Sequence, residues 1–165
     1  MKKMINIKKQ AGFNLIEVLL AFLILSIGLL GVAGLQTTAV KASHTAMLKT
    51  IAITKVQEII ERIRANPAAG IAAYDLPLGT VGTDKGCDTR SATILAEQCT
   101  PADLALNDLF VWENSLVNAG LPDTADTDAS IEIDASVPPV ATITVYWKER
   151  GVAMSYFSKI QQLPQ

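Results

Sequence analysis

The sequence has a single histidine, His44, and two cysteines, Cys87 and Cys99, in 165 residues. One histidine gives no imidazole relay, and there is no GxGxxG, no P-loop and no nucleophile elbow. Those are the arrangements that hold a dinucleotide, cradle a phosphate or expose an activated serine. No catalytic residue and no cofactor are therefore expected. A metal site needs three or four convergent ligands, and the only histidine stands on a long helical stretch far from both cysteines in sequence. Asp123, Asp126 and Asp128, with Glu132 and Asp134 nearby, lack the EF-hand spacing and its glycine. They read as a solvated acidic loop rather than a calcium site. Aromatics make up 5% of the chain and charged residues 18%, while half is apolar and the mean hydropathy is +0.31. Such a chain is not a disordered tail. With a formal charge of −2 it is not a nucleic-acid binder built on bulk positive charge either.

What charge there is lies unevenly. Lys2, Lys3, Lys8 and Lys9 place four positive charges before residue 10. Between residues 75 and 140, 12 acids face only Lys85 and Arg90, a balance of −10. A basic start, an apolar stretch and an acidic remainder form the layout of a chain that crosses a membrane.

The apolar stretch runs from Val18 to Leu35, 18 residues without a charge. As a helix it spans roughly 27 Å, close to the ~30 Å hydrocarbon core of a bilayer. The preceding lysines should keep the N-terminus cytoplasmic while the rest crosses. A secretory signal would have a short apolar core and a small-residue cleavage site. Here helix formers continue from Thr37 with no breaker before Asn66-Pro67. Leu48, Ile51, Ala52, Val56, Ile59, Ile60 and Ile63 recur every three or four residues, which makes one apolar stripe. Pro67 disfavours a helical Asn66 and closes the run. One helix is expected over about residues 13–65, apolar all round in its first half and amphipathic in its second. Glu17 interrupts the apolar character. An unpaired carboxylate at the bilayer centre costs at least about 3 kcal/mol, so Glu17 either sits hydrated near the interface or pairs with a positive group in an assembly. Gly28, Gly31 and Gly34 recur every third residue, either as ordinary membrane-helix glycines or as points of close helix approach or local unwinding.

The residues Lys8-Lys9-Gln10-Ala11-Gly12-Phe13-Asn14-Leu15-Ile16-Glu17-Val18-Leu19-Leu20-Ala21 resemble the class III signal of type IV prepilins. That signal is a short basic leader ending in Gly, then Phe, then Glu at the fifth mature position. The resemblance implies a leader peptide over residues 1–12, cleaved between Gly12 and Phe13 by a prepilin peptidase, and N-methylation of Phe13. It implies that the apolar helix survives cleavage as the filament-core segment, residues 13–37, and continues as an amphipathic half, residues 38–66. It also implies that Glu17 is a subunit-assembly residue, meeting the amino group of Phe13 on a neighbour. Asn14 departs from the commoner Thr, and Phe22 stands where major pilins usually have Pro, which favours a minor subunit.

Residues 67–165 read as a periplasmic globular head. Cys87 and Cys99, 12 apart, fall in a segment expected outside the inner membrane, where two cysteines usually pair. Thr100-Pro101-Ala102-Asp103 starts a helix well, with a capping hydroxyl, a proline in the first turn and an acid at the positive helix end. That helix is expected to run to Ala119-Gly120, where Gly can stop it. Ser130–Asp134, Ala141–Lys148 and Val152–Ile160 have strand character, separated by Val137-Pro138-Pro139 and Glu149-Arg150-Gly151. Trp112 and Trp147 are expected in the core, and His44 at a helix surface. The expected fold is α+β and type IV pilin-like, a long N-terminal helix packed on a small antiparallel sheet with an extra helix.

The head also resembles one branch of that family, the type IV pilus modification proteins (PilV). The likeness rests on Glu61-Arg62-Ile63-Arg64-Ala65-Asn66-Pro67, on Cys99-Thr100-Pro101-Ala102-Asp103-Leu104-Ala105 with Asp108-Leu109 and Trp112, on Ile143-Thr144-Val145-Tyr146-Trp147 and on Gly28–Gln36. It implies a minor pilin, a structural subunit of the type IV pilus or of its tip and priming complex, acting in pilus assembly and surface adhesion or motility. The implied partners are the prepilin peptidase, other minor pilins, the major pilin, a pilus-tip adhesin and inner-membrane lipid, with no nucleic acid. The implied location is the inner membrane, single-pass with the head periplasmic, and then the pilus. A minor pseudopilin of a type II secretion system shares the same N-terminal chemistry. A single-pass periplasmic enzyme or binding protein with an uncleaved anchor is the alternative of another class.

Overall fold

The computed structural model describes residues 14–87, 99–122 and 128–161. The chain divides into two compact units, residues 1–43 and 44–165. Helix α1, Leu15–Ala65, contributes to both. It meets no proline before Pro67, and at Asn66 the backbone leaves helical geometry (φ −121°, ψ 60°), as a residue preceding proline must. In the first unit α1 is the one element among the described residues. Apart from the half-buried Val18, its large apolar residues from Leu15 to Val40 are exposed, Leu15 at 78% and Leu35 at 71%.

The second unit is built on the remainder of α1. Leu48, Ala52, Val56, Ile59, Ile60 and Ile63 are buried, the positions of one helical face. The chain then turns through two short 3₁₀ segments, Pro67–Ala69 and Ile71–Tyr74, with Gly70 between them at φ 74°. Helix α2, Pro101–Val117, opens on a full capping box. The Thr100 hydroxyl accepts from the Asp103 amide, and the Asp103 carboxylate accepts from the Thr100 amide.

Strands β1 (Ala129–Asp134), β2 (Val140–Glu149) and β3 (Val152–Gln161) form an antiparallel sheet in the order β1-β2-β3. The register places Ile131 opposite Ile143, Val145 opposite Tyr156 and Trp147 opposite Met154. These residues share one face with Ala141; the β2 positions on that face are buried, and the positions from Val140 to Tyr146 on the opposite face are half-buried. Arg150 and Gly151 both have positive φ (53° and 79°) and make the two-residue turn from β2 to β3, the backbone that suits the twist of a tight hairpin. Trp112, Tyr74, Leu109, Leu116 and the inward sheet residues join the buried face of α1 in one core.

The expected elements are present with adjusted ends. Helix α2 stops at Val117 with Asn118 as its cap, and Gly120, at φ 80°, lies in the following turn. Each strand extends by one residue or more beyond its expected limits. Asp123 and Asp126 lie outside the described residues.

Candidate assembly site

Glu17 occupies the first turn of α1, where its amide donates to the Asn14 carbonyl at 2.9 Å. A carboxylate there also suits the positive end of the helix dipole. Gly12 and Phe13, the expected cleavage and methylation residues, lie outside the described residues, as does the whole 1–12 segment. The helix beyond Glu17 is long and apolar enough to cross a membrane. Three hydroxyls of its first half are satisfied within the helix. Ser26 donates to the Leu23 carbonyl at 2.8 Å, Thr37 to Gly34 at 2.7 Å and Thr38 to Leu35 at 2.8 Å. No such donor needs water, which is the condition for life in hydrocarbon. A Cβ added at Gly28, Gly31 or Gly34 would meet nothing within 4 Å. Among the described residues no packing contact requires these glycines. An apolar surface of this extent calls for lipid or another helix.

In the second unit, Cys87 and Cys99 are joined by a disulfide with their Cα atoms 6.0 Å apart. The chain leading to Cys87 is strapped to α2 by side chains of that helix. The Asn107 amide oxygen accepts from the Lys85 amide at 3.1 Å and from the Cys87 amide at 3.3 Å. The wholly buried Glu113 carboxylate accepts from the Gly82 amide. Gly82 lies so close to the Leu109–Phe110 backbone that a Cβ would collide with it. Lys85 also pairs with Asp103 at 3.6 Å.

A polar network missing from the sequence reading ties α1 to α2. Arg62 reaches Glu58 on its own helix and Asp108 on α2, both at 3.1 Å. The Tyr74 hydroxyl, fully buried, donates to Asp108 at 3.0 Å and accepts from the Asn66 amide at 3.2 Å. Asn66 also donates to the Pro101 carbonyl at 2.8 Å. Burial, with the Asp108 carboxylate alongside, pushes the Tyr74 phenol above its usual range, so it stays a donor. Burial opposes the charge on Glu58, but the Lys55 and Arg62 bonds outweigh it and hold the carboxyl below its usual range. The Glu58–Arg62 spacing of four is legible in sequence. Asp108 and Tyr74 come from distant segments and give no local signal.

His44 is a surface residue, 55% exposed, and its Nδ1 lies 3.5 Å from the Glu149 carboxylate at the hairpin turn. Thr45 donates to the same oxygen at 2.7 Å. The Thr45 bond lowers the Glu149 pKa; burial works against it, and His44 and Arg150 reinforce it. No cluster of His, Cys, Asp or Glu among the described residues is arranged to hold a metal ion.

Comparison with protein families gives two matches. Residues 7–33 match the prokaryotic N-terminal methylation motif, and residues 34–110 match the family described as type IV pilin Tt1218. Comparison with curated proteins and with solved structures returns no match.

Proposed function

We propose, from the premise that this chain is a type IV pilin-like protein and so a structural subunit rather than an enzyme, that it serves as a minor pilin of the type IV pilus or of its tip and priming complex. The methylation motif implies processing by a prepilin peptidase and assembly with other pilins. In our reading the peptidase cuts between Gly12 and Phe13 and releases residues 1–12, and Phe13 is then N-methylated. Residues 13–37 anchor the subunit in the inner membrane and later line the filament core. Residues 38–66 carry the head, residues 67–165, on the periplasmic side.

The observation that carries this reading is the coincidence of the motif at residues 7–33 with a helix whose apolar residues are exposed along its first half. Cleavage creates an ammonium at Phe13, four residues before Glu17. In low dielectric either charge left alone is strongly disfavoured, so the carboxylate of one subunit and the ammonium of another favour docking at a matching axial offset. Phe22, where major pilins usually have Pro, supports a minor subunit, and the motifs around Glu61–Pro67, Cys99–Ala105 and Ile143–Trp147 support the PilV branch. Its partners are then other minor pilins, the major pilin and a tip adhesin.

Deleting the gene tests the reading. Loss of surface pili with protein secretion intact is expected. Loss of secretion with normal piliation would assign the chain to the pseudopilus of a type II secretion system instead.

A further inference from the structure

The two edges of the sheet differ. The outer edge of β1 is occupied at its centre, where Ile131 exchanges both backbone hydrogen bonds with Leu76, at 2.8 and 2.9 Å. Strand β3 has β2 on one side and no strand on the other among the described residues. It is 10 residues long and contains neither proline nor glycine. Its inward row, Met154, Tyr156 and Ile160, packs against the core but stays partly exposed. On the outer face Phe157 is 60% exposed. The core's apolar row thus ends half covered at a strand whose outer edge pairs with no other strand among the described residues.

Charge separates in the same direction. The β2–β3 hairpin, residues 140–161, contains Lys148, Glu149, Arg150 and Lys159. Glu149 is buried and bonded to Thr45, so the exposed charges of the hairpin are all positive. The 75–140 segment that supplies much of the same head carries a balance of −10. An acidic segment is repelled by the 75–140 part of this head and attracted by the hairpin.

We propose that the edge of β3 docks an extended, acidic segment of a partner protein, which adds to the sheet as a fourth strand. Main-chain bonds along the edge supply affinity. Apolar side chains at alternate positions cover Met154, Tyr156 and Ile160, and carboxylates at the intervening positions meet Lys159 and Lys148. A lysine on an edge also serves to repel unwanted strands; that protective role predicts no strand binding at all. The inference goes beyond the minor-pilin reading, and its test is independent of leader cleavage.

The test uses the full chain in an uncharged detergent. The probe is a fluorescent peptide as long as β3 that alternates isoleucine with glutamate, compared with its isoleucine–lysine counterpart. Saturable binding of the acidic peptide, weakened by salt, is expected, with no binding of the basic one. The double variant Lys148→Glu/Lys159→Glu should lose about tenfold or more in affinity for the acidic peptide and gain affinity for the basic one. That gain shows that the variant sheet is folded. A photo-crosslinker on the peptide should label residues 152–161. Failure of both peptides to bind, equal binding of both, an unchanged double variant or labelling away from β3 would each overturn the proposal. So would binding of phosphatidylglycerol vesicles without binding of the peptide, which would assign the basic hairpin to a lipid surface.

Discussion

At the scale of single residues, Glu17 and Asp108 are both carboxylates whose worth depends on a partner, but the partners differ. Asp108 is nearly buried and holds Arg62 and the Tyr74 hydroxyl. Removing it in Asp108→Ala leaves both without that acceptor, so the head should lose about 2–4 kcal/mol. Tyr74→Phe removes only a hydroxyl and should cost about 1–2 kcal/mol. Denaturant unfolding of the two variants checks the order, and equal losses would mean that Arg62 does not depend on Asp108. Glu17, by contrast, meets no such network among the described residues. Glu17→Gln should therefore insert and be processed like wild type yet enter pili about tenfold less or worse, a factor that ~1.4 kcal/mol already supplies. Quantitative immunoblots of sheared pili against whole cells measure this. Wild-type incorporation would leave Glu17 a local helix-start residue.

At the scale of elements, the cap of α2 and the carboxylates that fasten α1 set how the head responds to acid. The Thr100 bonds lower the Asp103 pKa, and the Thr45 bond lowers that of Glu149. At Glu58 the Lys55 and Arg62 bonds outweigh burial in the same direction. Each group binds its proton more tightly unfolded than folded. The stability it contributes is present above its unfolded value, 4.5 for glutamate and 3.8 for aspartate, and is lost as pH falls through the lower folded value. The melting temperature of the head should hold from neutral pH to about pH 5 and drop steadily below it. Glu58→Gln should flatten that drop, and a slope unchanged in this variant would exclude Glu58 from it. Thr100→Ala should cost about 1 kcal/mol by removing the cap.

These elements also show what sequence reveals. The stripe from Leu48 to Ile63, the Thr100–Asp103 cap and the alternation in β2 are local patterns, and each was legible because spacing alone sets which face is buried. The 3₁₀ turns that bring Tyr74 into the core, the bridge from Leu76 to Ile131 and the strap that pins Gly82 to Glu113 join distant segments with no period of their own. Of the candidate site, the methylation motif and the cysteine pair were legible by residue pattern and compartment. The Arg62–Asp108–Tyr74 network was not, because half of it is set by tertiary packing.

At the scale of the whole molecule, one chain combines a segment suited to hydrocarbon with a disulfide-closed, acidic head. In the type IV pilin-like reading the first segment changes surroundings from lipid to neighbouring helices, and both are apolar. On the same reading, leader removal is the covalent event proposed to permit the change, since it would replace four lysines and the rest of residues 1–12 with one ammonium four residues before Glu17 in sequence. The measurement that bears most directly on this account is the intact mass of the protein purified from sheared pili. The account predicts a chain that begins at Phe13, carries one added methyl group and retains the Cys87–Cys99 bond. A pilus-associated chain that still begins at Met1 would contradict it.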